Sequence, residues 1–382
     1  SKHRRNGKLS EKRVAVININ QDYCGKCSVC YSVCPYEAIT RDQETGKVEI
    51  DLQKCQVCGI CYSACPVFAI EIIYYNYDTL VNYVNCMREK IKGNTLVLMC
   101  RGNSPSTCEV EEILAKEGLN IKDYIPLRLP CSGRVPTEFI FKVLKSGIKN
   151  IVSIQCEDAF CRFKEGTKIN ARRLLLGSTV LEQLGFSKDA LRVVKYSRKV
   201  VYETEKCVGC DKCVFICPYA AIEAEPFATP KILYDYCMGC GACALVCPHH
   251  AIQIKGFEFE NVLKLYSKSA AKLKAEGKSP VILVFCCQWS EFSALDNPKK
   301  TLLKKNTLAL EIPCFKALDP VHIVNALNSG FDGVMAVVCS PEDCKLQEGK
   351  ETTERNTTVL KDALKKMTLL CLLYTSPSPR DR

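Results

Sequence analysis

Four times in this chain, cysteines recur as C-x2-C-x2-C-x3-C-P. The copies are Cys24, Cys27, Cys30, Cys34 with Pro35; Cys55, Cys58, Cys61, Cys65 with Pro66; Cys207, Cys210, Cys213, Cys217 with Pro218; and Cys237, Cys240, Cys243, Cys247 with Pro248. Three thiolates two residues apart on a loop can wrap one corner of a small cube of iron and sulfide. The fourth lies past a turn, and the proline after it directs the chain away. A structural zinc site needs two ligand pairs with a longer gap, and it leaves the third and fourth cysteines in step unexplained. The spacing therefore predicts four [4Fe-4S] clusters, and their chemistry is electron transfer.

In two-cluster ferredoxins the fourth cysteine of each run serves the neighbouring cluster. That rule assigns Cys24, Cys27, Cys30 and Cys65 to one cluster, and Cys55, Cys58, Cys61 and Cys34 to a second. It assigns Cys207, Cys210, Cys213 and Cys247 to a third, and Cys237, Cys240, Cys243 and Cys217 to a fourth. The runs continue as CPYEAI, CPVFAI, CPYAAI and CPHHAI. The shared alanine (Ala38, Ala69, Ala221, Ala251) is small enough to pack near a cluster, and the isoleucine after it is expected to start a short strand.

Further elements must position these loops. Residues 1–76 form the first dicluster unit, opening on a basic stretch (Lys2, His3, Arg4, Arg5) and the apolar RVAVINI; the missing initial methionine suggests a fragment or processed chain. VEID (48–51) and AIEII (69–73) are expected strands, and 78–92 is an expected helix. In 77–200, TLVLM (95–99), IPLRL (125–129), KNIVSIQ (149–155) and LRVVKYS (191–197) read as strands. Between them, PTEFIFKVLKSG (136–147) and 164–184 read as helices, the former opening on proline and closing on glycine. Such alternation predicts an α/β domain with a largely parallel sheet. Cys100, Cys131 and Cys156 fall at strand ends, with Cys161 just beyond, and carboxyl ends of strands are where open α/β sheets bind ligands.

Residues 201–258 repeat the dicluster unit and 259–370 the α/β unit. The expected architecture is thus α+β ferredoxin-like dicluster domains alternating with α/β parallel-sheet domains, by internal tandem duplication. Cys24, Cys27, Cys30, Cys34, Cys131, Cys156 and Cys161 all recur 183 residues later, as Cys207, Cys210, Cys213, Cys217, Cys314, Cys339 and Cys344. Cys100 maps near the Cys286–Cys287 pair. This registration favours a metal cluster in each α/β domain over packing or redox thiols. Cys86, Cys108 and Cys286 read as core or surface thiols, and VILVFCC (281–287) as a core strand. Residues 371–382 are expected to be foreign: CLLYTSPSPRD resembles the translation of an adapter used in sequencing libraries. On that reading Cys371 has no role and the second α/β domain stops before its last strand. A natural Ser/Pro-rich tail is the alternative.

Composition narrows the function. The chain has 382 residues and 28 cysteines, most of them in ligand spacing, and no signal peptide, which predicts a reducing cytoplasm rather than a disulfide scaffold. No apolar run reaches the roughly 18 residues of a membrane span. The formal charge is +11 with cysteines neutral; four cubanes at about −2 each bring it near +3. The lysines offset cluster charge, and nucleic-acid binding is not expected. No G-x-G-x-x-G follows a strand, so no flavin or nicotinamide site is expected here, and there is no Walker A run. Of the four histidines, His3 lies in the tail, His249 and His250 lie beside a cluster motif, and His322 is on an expected helix. None completes an acid–base constellation. This stretch is expected to lack a substrate site of its own.

LPCSGRVPTEFIFKVLKSG (129–147) and QCEDAFCRFKEG (155–166) resemble the delta subunit of methyl-viologen-reducing hydrogenase. So does VFCCQWS with IPCFKALDPVHIVNALNSGFDGVMAVVCSPEDCKLQEG in the second half. That family carries a two-iron cluster and passes electrons from a hydrogenase or formate dehydrogenase to heterodisulfide reductase. The resemblance implies one [2Fe-2S] cluster on Cys100, Cys131, Cys156 and Cys161, and another on Cys287, Cys314, Cys339 and Cys344. The chain departs from the family pattern at Asn103 and Ser290, where a further cysteine is usual, at Cys314-Phe315-Lys316 in place of CSGR, and at Arg162 and Lys345 in place of histidine. Dicluster units joined to such domains are also similar to C-terminal parts of heterodisulfide reductase A-type polypeptides. The resemblance thus implies an electron-transfer subunit in an anaerobe's cytoplasm, partnered by hydrogenase or formate dehydrogenase subunits and a heterodisulfide reductase-type flavoprotein. The alternative is an enzyme fragment whose flavin domain lies upstream.

Overall fold

The structure is a computed structural model. It describes residues 17–73, 75–101, 105–119, 124–161, 163–225, 228–287, 306–338, 358 and 372–376. The first dicluster unit contains β1 (Ile17–Ile19), α1 (Val29–Val33), β2 (Ile39–Arg41), β3 (Val48–Ile50), α2 (Ile60–Ala64) and β4 (Ile70–Ile72). β1 pairs antiparallel with β4, and β2 with β3. Ile39 and Ile70 open their strands, as the motif predicts. These strands bury only isoleucines and Val48 against the cysteine loops, so the small core is built around the thiols themselves.

Helix α3 (Tyr77–Ile91) leads out of this unit. Asn76 caps it by accepting from the Thr79 amide, and the Tyr77 amide donates to Tyr62 Oη at 2.7 Å, tying the helix to the unit it leaves. Next come β5 (Thr95–Cys100), α4 (Thr107–Lys116), β6 (Tyr124–Leu129), α5 (Thr137–Lys145), β7 (Asn150–Cys156), α6 (Gly166–Gln183) and β8 (Leu191–Tyr196). The sheet order is β6-β5-β7-β8, all parallel. TLVLMC is buried at every position, as a central strand covered on both faces must be. Helices α3, α5 and α6 cover one face through Leu80, Val84, Phe139, Val143 and Leu174, while Val110 and Leu114 of α4 cover the other. Helix α4 lies in a stretch that the strand and helix pattern above passes over; Ser106 and Glu109 close a capping box at its start.

The second half repeats the arrangement. β9 (Val200–Tyr202), α7 (Lys212–Ile216), β10 (Ile222–Glu223), β11 (Lys231–Ile232), α8 (Ala242–Val246) and β12 (Ile252–Ile254) form the second dicluster unit, with β9 pairing β12 and β10 pairing β11. Helix α9 (Phe259–Ala275) leads to β13 (Ile282–Cys287), β14 (Thr307–Ile312), α10 (Pro320–Asn328), β15 (Gly333–Val337) and β16 (Leu372–Ser376). The order β14-β13-β15-β16 is again fully parallel. The last strand of this sheet, expected to be missing, is therefore supplied by Leu372–Ser376, in the position that β8 takes in the first sheet. Its pairing satisfies the free N–H and C=O groups at the β15 edge, as any extended apolar segment can. Among the described residues, no helix is long and apolar enough to cross a membrane.

Candidate metal centres

The four cysteine runs share one backbone path. The residues on both sides of the second cysteine take positive φ: Lys26 and Ser28, Val57 and Gly59, Gly209 and Asp211, Gly239 and Gly241. This double reversal turns the chain back around the second cysteine, and the left-handed residue after it sits at the N-cap of α1, α2, α7 or α8. A third left-handed residue (Glu37, Phe68, Ala220, His250) precedes each shared alanine. It swings the alanine amide onto the fourth cysteine: Ala38, Ala69, Ala221 and Ala251 donate to Cys34, Cys65, Cys217 and Cys247 Sγ at 3.4, 3.3, 3.3 and 3.2 Å. The sequence marks these alanines as small; their amide donors emerge only from the fold. A donor aimed at sulfur favours the thiolate, the form that ligates iron.

The structure brings the thiols together crosswise. One small cavity is lined by Cys55, Cys58, Cys61 and, from the preceding run, Cys34. Another is lined by Cys207, Cys210, Cys213 and, from the following run, Cys247. Electrostatics give the same groupings. Burial first, then the charges of Cys65, Cys24 and Cys27, push Cys30 up. Burial with Cys58, Cys55 and Cys34 pushes Cys61 well up, and burial chiefly, with Cys240, Cys237 and Cys217 foremost among its neighbours, does so for Cys243. Thiols that repel one another this way need a cation among them to ionise together, which the iron of a bound cluster would supply. Among the described residues no three His, Cys, Asp or Glu side chains converge on a single-ion site.

The α/β cysteines sit at carboxyl ends of the first sheet. Cys100 ends β5, Cys156 ends β7, and Cys131 lies two residues past the end of β6. All three are buried, and Cys161 is half-buried after a short turn. Their charges act on one another, and Cys131 feels both Cys100 and Cys161. Hydrogen bonds with Cys156 and Ser132 pull Cys100 down to about 6 against the cost of burial, and Cys156, the partner thiol, is pushed up. The Ser132 amide donates to Cys100 Sγ at 3.3 Å, and the Ser132 hydroxyl, 3.1 Å from that sulfur, donates to Gln155 Oε1. Thr167 Oγ1 donates to the Cys156 carbonyl, and Asn170 Nδ2 to Gln155. Gly166 closes the site: a Cβ there would run into Cys131 Sγ. Four soft donors on a polar, buried floor fit a two-iron cluster.

In the second half the sheet decides between adjacent cysteines. Ile282 pairs with Thr307 and Gly333 just as Thr95 pairs with Tyr124 and Asn150, so Cys287, not Cys286, is the counterpart of Cys100. Cys286 points to the opposite face, among Val284 and Val337. Cys314 is buried after β14. Cys339 and Cys344 lie outside the described residues, as do Cys371 and the side chain of Cys108. Cys86 is an exposed thiol on α3.

Comparison with known proteins now fits this geometry. A family model for the methyl-viologen-reducing hydrogenase delta subunit matches residues 96–208 and 282–370, more than half of the chain. The chain belongs to this delta-subunit family. Two models of 4Fe-4S dicluster domains match residues 23–69 and 197–254. The chain is 30% identical over 169 residues to the A-type polypeptide of the ferredoxin:CoB-CoM heterodisulfide reductase of Methanosarcina mazei, covering 44% of this chain and 21% of that protein. It is 32% identical over 169 residues to the A-type polypeptide of the ferredoxin/F(420)H(2)-dependent CoB-CoM heterodisulfide reductase of Methanosarcina acetivorans, with the same coverage. It is 36% identical over 67 residues to an iron-sulfur subunit of the F420-non-reducing hydrogenase of Archaeoglobus profundus, covering 18% of this chain and 49% of that one. The match thus spans about a fifth of the reductase polypeptides and about half of the hydrogenase subunit. This delta-subunit family member is an iron–sulfur protein with an electron-transfer role.

Proposed function

We propose that this chain relays electrons between a hydrogenase- or formate dehydrogenase-type oxidoreductase and a heterodisulfide reductase-type flavoprotein. The observation that carries the reading is the pair of cavities each lined by three cysteines of one run and the fourth of its neighbour. When bound, a cubane or two-iron cluster accepts and gives single electrons. The chain's own residues hold thiolates in place, aim alanine amides at sulfur and exclude water. Cys27 and Cys210 are exposed, while Cys58, Cys61, Cys240 and Cys243 are buried towards the α/β domains. Each half would therefore run from an outer site, through an inner one, to Cys131 or Cys314. The shared sheet order and the 183-residue recurrence of cysteines support reading the halves as a tandem duplication.

The test is iron, acid-labile sulfide and EPR on anaerobically purified protein. The crosswise sets predict about 16 iron per chain, and about 20 with a two-iron signal if both α/β domains are loaded. Cys34→Ser should remove the signal of the inner cubane set, Cys55, Cys58 and Cys61, and spare that of its own run. Loss of the cluster on Cys24, Cys27 and Cys30 instead would overturn the assignment.

A second reading is favoured by the reductase polypeptides, of which the match covers only 21%: the chain as the C-terminal part of a flavin-containing enzyme of that kind. Sequence upstream of Ser1 decides it. A G-x-G-x-x-G after a strand there would favour the enzyme.

A further inference from the structure

The junction between each dicluster unit and its α/β domain holds a buried cation. In the first half, the turn at Ser132–Arg134 packs on α2, and Cys58, Ile60, Cys131 and Phe163 form one buried cluster. Arg134 is only 2% exposed. Its Nε donates to the Cys58 carbonyl at 3.4 Å, Nη2 donates to the Val57 carbonyl, and the guanidinium lies 5.7 Å from the centre of the Tyr75 ring. Gly59, at φ +79, makes the room: a Cβ there would collide with the arginine side chain. Ser63 Oγ donates to the Gly133 carbonyl at 2.7 Å, and Arg173 binds Gly133 and Val135, so the turn is pinned to α2.

The second half reaches the same result with a different residue. Position 134 corresponds to Ala317, whose Cβ fills the space that Gly241 leaves. The charge comes instead from Lys316, 5% exposed, on the same turn after Cys314. Cys240, Ala242 and Cys314 form the matching buried cluster. Arg134 thus lies against the loop of Cys58, and the turn that carries Lys316 lies against the loop of Cys240, where Ala317 meets Gly241. A side chain retained for packing would keep its shape at equivalent positions. Here shape and position both change, and what persists is a buried positive charge beside an inner cysteine. Burial strengthens the field that such a charge exerts on a cubane held by the adjacent thiolates.

We propose that Arg134 and Lys316 are positioning charges that raise the reduction potential of the two inner cubanes above that of their outer neighbours. An electron arriving at the exposed Cys27 or Cys210 side would then settle beside Cys131 or Cys314. The proposal rests on the cluster assignment above, and the experiment separates the two. Full-length chain with Arg134→Gln, Arg134→Lys, Lys316→Gln or Lys316→Arg is loaded anaerobically, assayed for iron and sulfide, and titrated by EPR.

The expected result is unchanged iron in Lys316→Gln, with one of four cubane midpoints lowered by a tenfold shift in its reduction equilibrium, about 59 mV for one electron. Lys316→Arg should restore it, and Arg134→Gln should lower a different midpoint that Arg134→Lys restores. Unmoved midpoints in iron-replete Lys316→Gln, or equal movement of all four, overturn the proposal. If Arg134→Gln loses iron, Lys316→Gln still decides. Iron far below about 16 in the parent chain would instead sink the cluster assignment.

Discussion

The two α/β domains share sheet order and strand register, yet their cysteines meet opposite surroundings. In the first, Cys100 lies on a polar floor of Ser132, Gln155, Thr167 and Asn170, and hydrogen bonds hold its thiol down to about 6. The residues 183 positions after Ser132 and Gln155 are Phe315 and Val338. Both are buried in the apolar core that also contains Cys287 and Ile312. One scaffold thus offers a polar site in its first copy and a dry one in its second. The parallel sheet fixes where cysteines stand; the turn after β6 or β14 and the end of β7 or β15 decide what surrounds them.

The comparison breaks most sharply at Gly166. A Cβ at this position would overlap Cys131 Sγ, and Cys161 Sγ is only 3.9 Å away. Gly166→Ala should expel whatever the first α/β domain holds while leaving the dicluster units intact. Iron should fall by about two atoms per chain, with the two-iron signal of that domain lost and the cubane signals retained. Equal loss from all centres would mean a folding defect rather than a blocked site.

A smaller effect separates the domains by pH. His322 on α10 is the counterpart of Phe139 on α5, and both are buried. Burial, opposed by Asp319 and aided by His250, pulls His322 down to about 4. Its ring sits by Phe259 and 3.4 Å from Tyr266 Oη. The folded state therefore prefers neutral imidazole, while the unfolded chain binds a proton near pH 6.5. Stability from this residue is complete above that pH and is lost as pH falls towards 4, by at most about 3 kcal/mol. The second domain should unfold more easily in acid, with the first showing no such histidine-linked loss. His322→Phe should flatten the pH dependence of thermal unfolding over that window, and an unchanged profile would refute the assignment.

Much of this was legible because the chemistry is local. Ligand spacing, apolar runs such as TLVLM, and the proline and glycine bounding α5 each lie within a few residues. What was not legible depends on pairing across the fold. Only the register of β13 against β14 and β15 separates Cys287 from Cys286, since adjacent residues on a strand face opposite sides. The alanine amides became sulfur donors through left-handed residues such as Glu37 and Phe68, which no propensity predicts. The capping box of Ser106 and Glu109 was a readable signal for α4, hidden beside the cysteine motifs. Arg134 reads as part of CSGR, but its role depends on Gly59, 75 residues away.

The finest difference between the halves is a single charge. Arg128 on β6 and Glu311 on β14 lie 183 positions apart, at corresponding places in the two sheets, and they face each other at 2.8 Å. Glu311 is the more buried partner, at 11% side-chain exposure against 38% for Arg128. Arg198, partly buried, feels Glu311 and Glu109 as favourable and Arg128 as unfavourable, and Lys255 pairs with Glu109 at 3.4 Å. A double-mutant cycle of Arg128→Gln and Glu311→Gln should give a coupling of about 1 kcal/mol that shrinks with added salt. Glu311→Gln alone should destabilise more than Arg128→Gln, because it leaves two arginines without their shared carboxylate. Equivalent positions invite the idea that the charges can be exchanged. They cannot: Arg128→Glu with Glu311→Arg sets the new arginine against Arg198. The exchanged pair should remain less stable than the parent, and full recovery would show that Arg198 takes no part.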